Sequence, residues 1–468
     1  MIWSDIAWWV WTLILYSSGV IAAIDALWNG RTAQGTVAWV VSLLLMPILA
    51  LPLYIFFGSR RFHGYRKARH MSTEAIAHIS AKQKNSPLCV DEAEQSNLVP
   101  PLEALLQTRQ WDANQVELLI NGEQTLDAIL SAISNAQHSI LVQYYIIRDD
   151  QTGRRLQQAL IKKAQQKVCV YLLYDEIGSS DLPRRYIREL SDAGVRCSKF
   201  NPLQIRHRIQ LNFRNHRKLV IIDEHTCFLG GHNIGDEYMG LSTSIGPWRD
   251  THLKITGPAT LSAQRSFIED WYWAQHYIPS LNWQPQSSSG NSKVLIMASG
   301  PADNSESMSL SIVHLINQAK KRLWLTSPYF VPDLKVMGAL QLAALRGVDV
   351  RIMMPHKTDN PLVALAAQSY IEELSQHGIQ FFQYRHGFMH QKVMLIDNLH
   401  SMVGSANIDN RSLRINFELN ALIECEKTAL EVHQMLSEDF DQCEYFVLSQ
   451  SIVRRSLSKA ARLLAPVL

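Results

Sequence analysis

Two histidine–lysine pairs hold most of the chemistry that this chain could perform. In FRNHRKLVIIDEHTCFLGGHN (213–233), His216 and Lys218 stand directly before a Leu-Val-Ile-Ile run. In FMHQKVMLIDNLHSMVGSAN (388–407), His390 and Lys392 stand before Val-Met-Leu-Ile. The shared pattern is His-x-Lys, Asp, then Gly-[Gly/Ser]-x-Asn at one spacing. It is filled by His216, Lys218, Asp223, Gly230, Gly231 and Asn233, and again by His390, Lys392, Asp397, Gly404, Ser405 and Asn407. Residues two apart on a strand share a face, so each His and Lys point into one cavity. Glycines at the end of the next strand let backbone approach a ligand, and Asn supplies amide donors for an anionic oxygen.

One such set could hold a phosphate. Two sets brought together give two imidazoles, two ammoniums and two amides around one centre, which suits a phosphodiester. One His attacks phosphorus, the other protonates the departing alkoxide, and the Lys, Asn, Ser405 and Gly231 positions hold or support the phosphoryl oxygens. A neutral imidazole needs an acceptor on its other nitrogen. Asp250 in WRDTHL is the candidate for His216, and Glu418 in INFELN for His390. Asp223 and Asp397 are entered with the catalytic set, although an acid closing a strand reads more readily as a turn anchor. Only the second repeat has a hydroxyl, Ser405, where the first has Gly231.

The elements that must position these residues alternate strand-like and helix-like on both sides of a Ser/Gly/Pro-rich linker, QPQSSSGNSK (284–293). SILVQYYII and VCVYLLYD precede the first motif; RLWLTSPYFVPD, GVDVRIMMP and HGIQFFQY precede the second. Apolar runs on both strand faces, separated by helices, predict an α/β fold of two pseudo-symmetric repeats with mostly parallel sheets. Ile6–Ile24 and Thr36–Phe57 lack charged residues, and Trp3, Trp8, Trp9, Trp11 and Trp28 crowd the ends of the first. This predicts a two-helix transmembrane anchor rather than a cleaved signal peptide. Arg60, Arg61, Arg66, Lys67 and Arg69 follow without an acid among them, so the basic flank should stay in the cytosol against anionic headgroups. The predicted organisation is 1–58 anchor hairpin, 59–100 basic tether, 101–283 first repeat, 284–293 linker, 294–446 second repeat and 447–468 basic amphipathic helix. That last helix could lie on a membrane or dock on its own domain.

Composition bounds the alternatives. The 45 Lys+Arg against 42 Asp+Glu leave +3, and no basic stripe surrounds the motifs, so no nucleic-acid partner is expected. The 6 cysteines lack CxxC spacing, which argues against a zinc site or a disulfide framework. Cys169, inside an apolar run, reads as a small buried hydrophobe.

The doubled HxKxxxxD…G[GS]xN pattern resembles the phospholipase D superfamily. Two N-terminal apolar runs, the basic flank, TSPYFVP and NIDNRS make the chain similar to the bacterial cardiolipin synthase family within it. The resemblance covers essentially the whole chain. It implies a multi-pass enzyme of the cytoplasmic membrane that needs no metal and no cofactor. It implies phosphatidyl transfer between two phosphatidylglycerol molecules through a phosphohistidine, releasing cardiolipin and glycerol. It also favours His216 as nucleophile and His390 as general acid. Phospholipid substrates and the bilayer are the expected partners, and an oligomer is possible. The alternatives are a phospholipase D-type hydrolase, another phosphatidyltransferase such as one with a phosphatidylethanolamine donor, and a membrane-bound nuclease.

Overall fold

The computed structural model describes residues 2–30, 33–58, 63–75, 86–200, 213–243, 245–448 and 451–465. The first half contributes β1 (Trp111–Ile120), β2 (Ser139–Tyr144), β3 (Cys169–Tyr174), β4 (Arg196–Lys199), β5 (Leu219–Ile222), β6 (Thr226–Gly230), β7 (Trp248–Arg249) and β8 (Thr251–Thr256). The second contributes β9 (Ser292–Ser299), β10 (Arg322–Thr326), β11 (Phe330–Val331), β12 (Asp349–Pro355), β13 (Gln380–Tyr384), β14 (Phe388–Met389), β15 (Val393–Ile396), β16 (His400–Gly404), β17 (Ile408–Asp409), β18 (Glu418–Glu424) and β19 (Cys443–Tyr445).

Fifteen of these strands form one sheet, ordered β19-β13-β12-β10-β15-β16-β18-β9-β1-β8-β6-β5-β2-β3-β4. Read outward from the β9–β1 junction, the two halves repeat one order. Each half has a parallel trio, β2-β3-β4 or β10-β12-β13, and the strands inward of it pair antiparallel. The expectation of mostly parallel sheets is therefore corrected: the sheet is mixed. The reason lies in the connections. β5 and β6 are joined by Asp223, Glu224 and His225 alone, far too short for a parallel crossover. Burial on both faces indicates only that both faces are covered.

Among the described residues the three largest apolar clusters lie between the sheet and its covering helices. One lies under the outer part of each half, and the third spans the junction. The junction core holds Trp111, Phe200, Phe213, Leu253, Phe267 and Trp271 from one half with Trp324, Phe417, Leu419 and Leu436 from the other. Cys169 opens β3 and is exposed, contrary to the buried role expected of it.

The N-terminal helix Ile2–Asn29 contains Ile6–Asn29, the only described stretch long and apolar enough to cross a bilayer by itself. The second apolar run is two helices, Ala33–Leu45 and Pro47–Phe57, parted at Met46. Pro47 disfavours helical backbone at the residue before it and cannot donate an N–H, which accounts for the break. Arg60 and Arg61 lie outside the described residues, as does the side chain of Lys67. Arg69, assigned from sequence to the headgroups, instead pairs with Glu269 at 3.0 Å and with Asp303 at 2.5 Å. The neighbouring Tyr65 donates to Asp270 at 2.6 Å and packs on Phe417. The His63–Ala75 helix is thus locked onto the folded domain.

Candidate active site

Each His-Lys pair sits in an extended segment leading into β5 or β15, the strands whose apolar side chains hold it in the core. That segment is stitched to the opposite half. His216 N–H donates to the Phe417 carbonyl at 2.9 Å, and His390 N–H to the Arg249 carbonyl at 2.8 Å. Asn215 bridges Phe417, and β14 pairs with β7.

This stitching reverses the pairing of histidines and acids expected from sequence. His216 Nδ1 lies 3.0 Å from Glu418 Oε2, and His390 Nδ1 lies 2.7 Å from Asp250 Oδ2. Each imidazole is oriented by the carboxylate of the other half. An acid placed after its own repeat's Asn lies nearest that motif in sequence, but the junction sets β18 beside His216 and β7–β8 beside His390.

The acids are buried and ionised. Burial raises the carboxyl of Glu418, but His216, Lys218 and the Ser405 hydroxyl outweigh it and hold the group low. Asp250 is held well below the carboxylate range in the same way, by His232, His390 and Lys392 against its burial. Burial also depresses both imidazoles, His390 to about 3. Both directions describe one protonation state: ionised carboxylate, neutral ring. Because a carboxylate only accepts, Nδ1 must carry the hydrogen in each ring, which leaves a lone pair on Nε2. The Ser405 carbonyl, 3.1 Å from His216 Nδ1, is a second acceptor for the same proton.

Lys218 Nζ donates to its own histidine's carbonyl at 2.7 Å, and Lys392 Nζ does the same to His390. Burial pushes the two amines down, to about 7 for Lys218 and about 8 for Lys392; the Lys392 charge lowers Lys218 further, while Glu418 and Asp250 oppose the fall in both. Two buried ammoniums beside two imidazoles make a centre that an anionic diester would stabilise.

The small-residue positions differ for a steric reason. The Ser405 hydroxyl donates to Glu418 Oε2 at 2.5 Å and accepts from Leu419 N–H at 2.9 Å. A Cβ on Gly231 would lie 2.0 Å from Asp250 Oδ1, so that carboxylate already occupies the space of a side chain. Gly–Asp and Ser–Glu are therefore matched pairs. Asn233 Oδ1 accepts from Ile146 N–H at 3.3 Å, and Asn407 Nδ2 donates to Asp409 at 3.0 Å.

Asp223 and Asp397 do not join this centre. Asp223 accepts the N–H groups of Gln137, His138 and Ser139, and Asp397 those of Lys320, Lys321 and Arg322. Both sit at positive φ, 49° and 52°, in the hairpin turns. Their placement in the catalytic set is corrected: they clamp the β5–β6 and β15–β16 turns to the starts of β2 and β10.

Sequence reasoning missed a supporting layer. Arg217, the middle residue of the first His-x-Lys, donates to Asp270 at 2.8 Å, to the Glu418 carbonyl and to the Ser299 carbonyl. Its counterpart Gln391 donates to Asp439 at 2.8 Å, which also takes both arms of Arg249. Tyr145 lies edge-on to His216 with ring centres 5.2 Å apart, and Trp248 lies 5.0 Å from His390. A large polar residue between His and Lys was the only signal for the first group. The aromatics carried none.

The family described as "Cardiolipin synthase, PLD-like domain" matches residues 129–248 and 312–443, which together are more than half of the chain. The chain belongs to that family. The family described as "Phospholipase_D-nuclease N-terminal" matches residues 19–59. Cardiolipin synthase A of Pseudomonas aeruginosa (strain LESB58) is 44% identical over 461 residues, covering 96% of this chain and 94% of that protein. Cardiolipin synthase A of Pseudomonas putida (strain KT2440) is 42% identical over 466 residues, covering 97% of each. Among solved structures, phosphatidylserine synthase of Haemophilus influenzae Rd KW20 matches with TM-score 0.61 at 15% identity, covering 84% of this chain and 100% of that one. At that identity it speaks for the fold alone. The matches of the family fall on both halves of the sheet, so each half carries one copy of the domain.

Proposed function

We propose that this enzyme is a cardiolipin synthase that moves a phosphatidyl group from one phosphatidylglycerol to the hydroxyl of another, releasing glycerol. The observation that carries the chemistry is the crossed pair of imidazoles, each held in one tautomer by an ionised carboxylate of the opposite half. In the first step His216 Nε2 attacks phosphorus, a P–N bond forms, and the P–O bond to glycerol breaks. His390, protonated as the diester anion binds, gives its Nε2 proton to the leaving alkoxide. In the second step His390 takes the proton of the acceptor hydroxyl, whose oxygen displaces His216 from phosphorus. Two acceptors on His216 Nδ1–H, Glu418 and the Ser405 carbonyl, support the nucleophile's role by stabilising positive charge on that ring. Lys218 and Lys392 neutralise the phosphoryl oxygens and Asn233 and Asn407 hold them by hydrogen bonds, with Ser405 and Gly231 shaping the pocket wall.

The reading is tested by purified protein with defined lipids in detergent and EDTA, products being followed by mass spectrometry. Cardiolipin and glycerol in equal amounts from phosphatidylglycerol alone are expected. Phosphatidic acid as the main product would make it a hydrolase, and a strict need for phosphatidylethanolamine would change the donor.

The membrane reading has two parts. Ile2–Asn29 crosses the bilayer, and Ala33–Leu45 with Pro47–Phe57 returns as a kinked span. Together the 13 and 11 residues rise about 36 Å, against a bilayer core of about 30 Å. The basic residues after the second run then place the catalytic domain on the cytosolic face of the inner membrane. A C-terminal alkaline phosphatase fusion, active only outside the cytosol, is expected to be silent; strong activity would overturn the topology.

A further inference from the structure

The Ile452–Arg462 helix docks with the wrong side. Ser458 Oγ donates to the Leu365 carbonyl at 2.7 Å, and Arg462 reaches Glu373 at 2.7 Å while its guanidinium lies 4.3 Å from the Tyr370 ring centre. Arg455 pairs with Glu372. The buried residues of this segment are Ser458, Ala461 and Ala465. Its large apolar side chains face away: Ile452 is 80% exposed, Val453 69%, Leu457 53% and Leu463 80%. At 100° per residue these positions fall within one half of the helix surface, opposite Ser458 and Arg462. Surface helices of soluble domains bury the apolar stripe and expose the charged one. Here Arg455 and Arg462 are spent on the domain and the large apolar side chains on the surroundings.

We propose that this outward face is a second membrane contact, lying in the interface of an anionic phospholipid bilayer. Three observations select that occupant. Arg454 and Lys459, both exposed, flank the apolar stripe, as a helix seated among anionic headgroups requires. The Ile2–Asn29 helix, long and apolar enough to span a membrane, keeps the chain beside such a surface. The neighbouring Leu334–Leu345 helix, touched by Arg462 at Met337 Sδ, exposes Leu334, Leu342 and Leu345 on one side as well. The inference goes beyond the transfer reaction and holds for any activity of the site. It gives the second repeat its own hold on the lipid surface, so the catalytic domain is held at two places rather than swinging from its anchor.

The test uses the full-length chain in vesicles, with exposed Cys169 replaced by Ser. A nitrobenzoxadiazole dye is placed on Leu457→Cys and, as a control, on Ser134→Cys, an exposed position in a polar helix of the first half. The dye-treated Cys169→Ser protein serves as blank. In vesicles containing one third phosphatidylglycerol, nitroxide-labelled lipid is expected to quench the dye at 457 at least threefold more than at 134. Adding Arg454→Ser and Lys459→Ser should reduce that excess in anionic vesicles. Equal quenching at the two positions would overturn the proposal. So would a dye at 457 that is shielded in detergent in proportion to protein concentration, since a second copy of the chain would then be the occupant.

Discussion

At the residue scale, the proposed mechanism gives separate jobs to two carboxylates that look equivalent in sequence. In it Glu418 steadies the ring that attacks, and Asp250 the ring that delivers a proton. Asp250→Asn should therefore slow turnover of phosphatidylglycerol by at least tenfold, about 1.4 kcal/mol in barrier. It should still allow a His216 adduct from a donor whose alcohol leaves without a proton. Glu418→Gln should suppress the adduct from both donors. Peptide mapping by mass spectrometry reads the difference, and the opposite pattern would exchange the roles of His216 and His390. The lysines set a pH limit. Lys218, lowered by burial to about 7, and Lys392, to about 8, lose their charge as pH rises through those values. Capture of an anionic diester should weaken as pH rises through 7 and 8, seen as a falling kcat/KM. Lys218→Arg, whose guanidinium stays charged, should move that limb to higher pH even where its absolute rate is lower. A profile flat from pH 6 to 9 in the unmodified enzyme would reject the lysine assignment.

At the element scale, each strand that carries a His-Lys pair is aimed by its turn and by its neighbour in the other half. The Asp223 and Asp397 carboxylates each satisfy three successive N–H groups at the head of β2 or β10. Asp223→Ala and Asp397→Ala should each cost about 1–3 kcal/mol of stability, the penalty for unmade partners. Denaturant midpoints should fall while the rate per folded molecule stays within a few fold. A loss of activity beyond a hundredfold at full stability would return these acids to the reacting centre.

At the scale of the whole molecule, one sheet and one shared core make the site indivisible. β9 and β1 join the halves edge to edge, and Phe417 packs against Tyr65 and Phe200 across the junction. Residues 1–283 or 284–468 alone would leave each imidazole without its carboxylate. Neither piece should form an adduct, and mixing them should restore activity only as far as the junction reforms. Adduct on an isolated half, detected by intact mass, would show that the acids are dispensable.

The grouping of the candidate site residues was partly legible in the chain itself. The repeated spacing singled out both His-Lys pairs, because a two-residue period puts them on one strand face whatever the fold does next. The alternation of elements marked an α/β architecture, and the uncharged runs marked the N-terminal segment, since both follow from side-chain polarity over short windows. Strand direction did not follow, because burial patterns are blind to it; the short turns 223–225 and 397–399 force antiparallel pairing of β5 with β6 and of β15 with β16. Which acid serves which histidine was equally closed to sequence. Asp250 lies 34 residues from His216 and 140 from His390 along the chain, yet the pseudo-twofold junction brings it to His390. Arg69 was read as a headgroup contact, and only the packed interior supplied Glu269 and Asp303 to hold it. A sequence carries the kinds of groups available, but contacts between distant segments are set by how the two halves close on a common core.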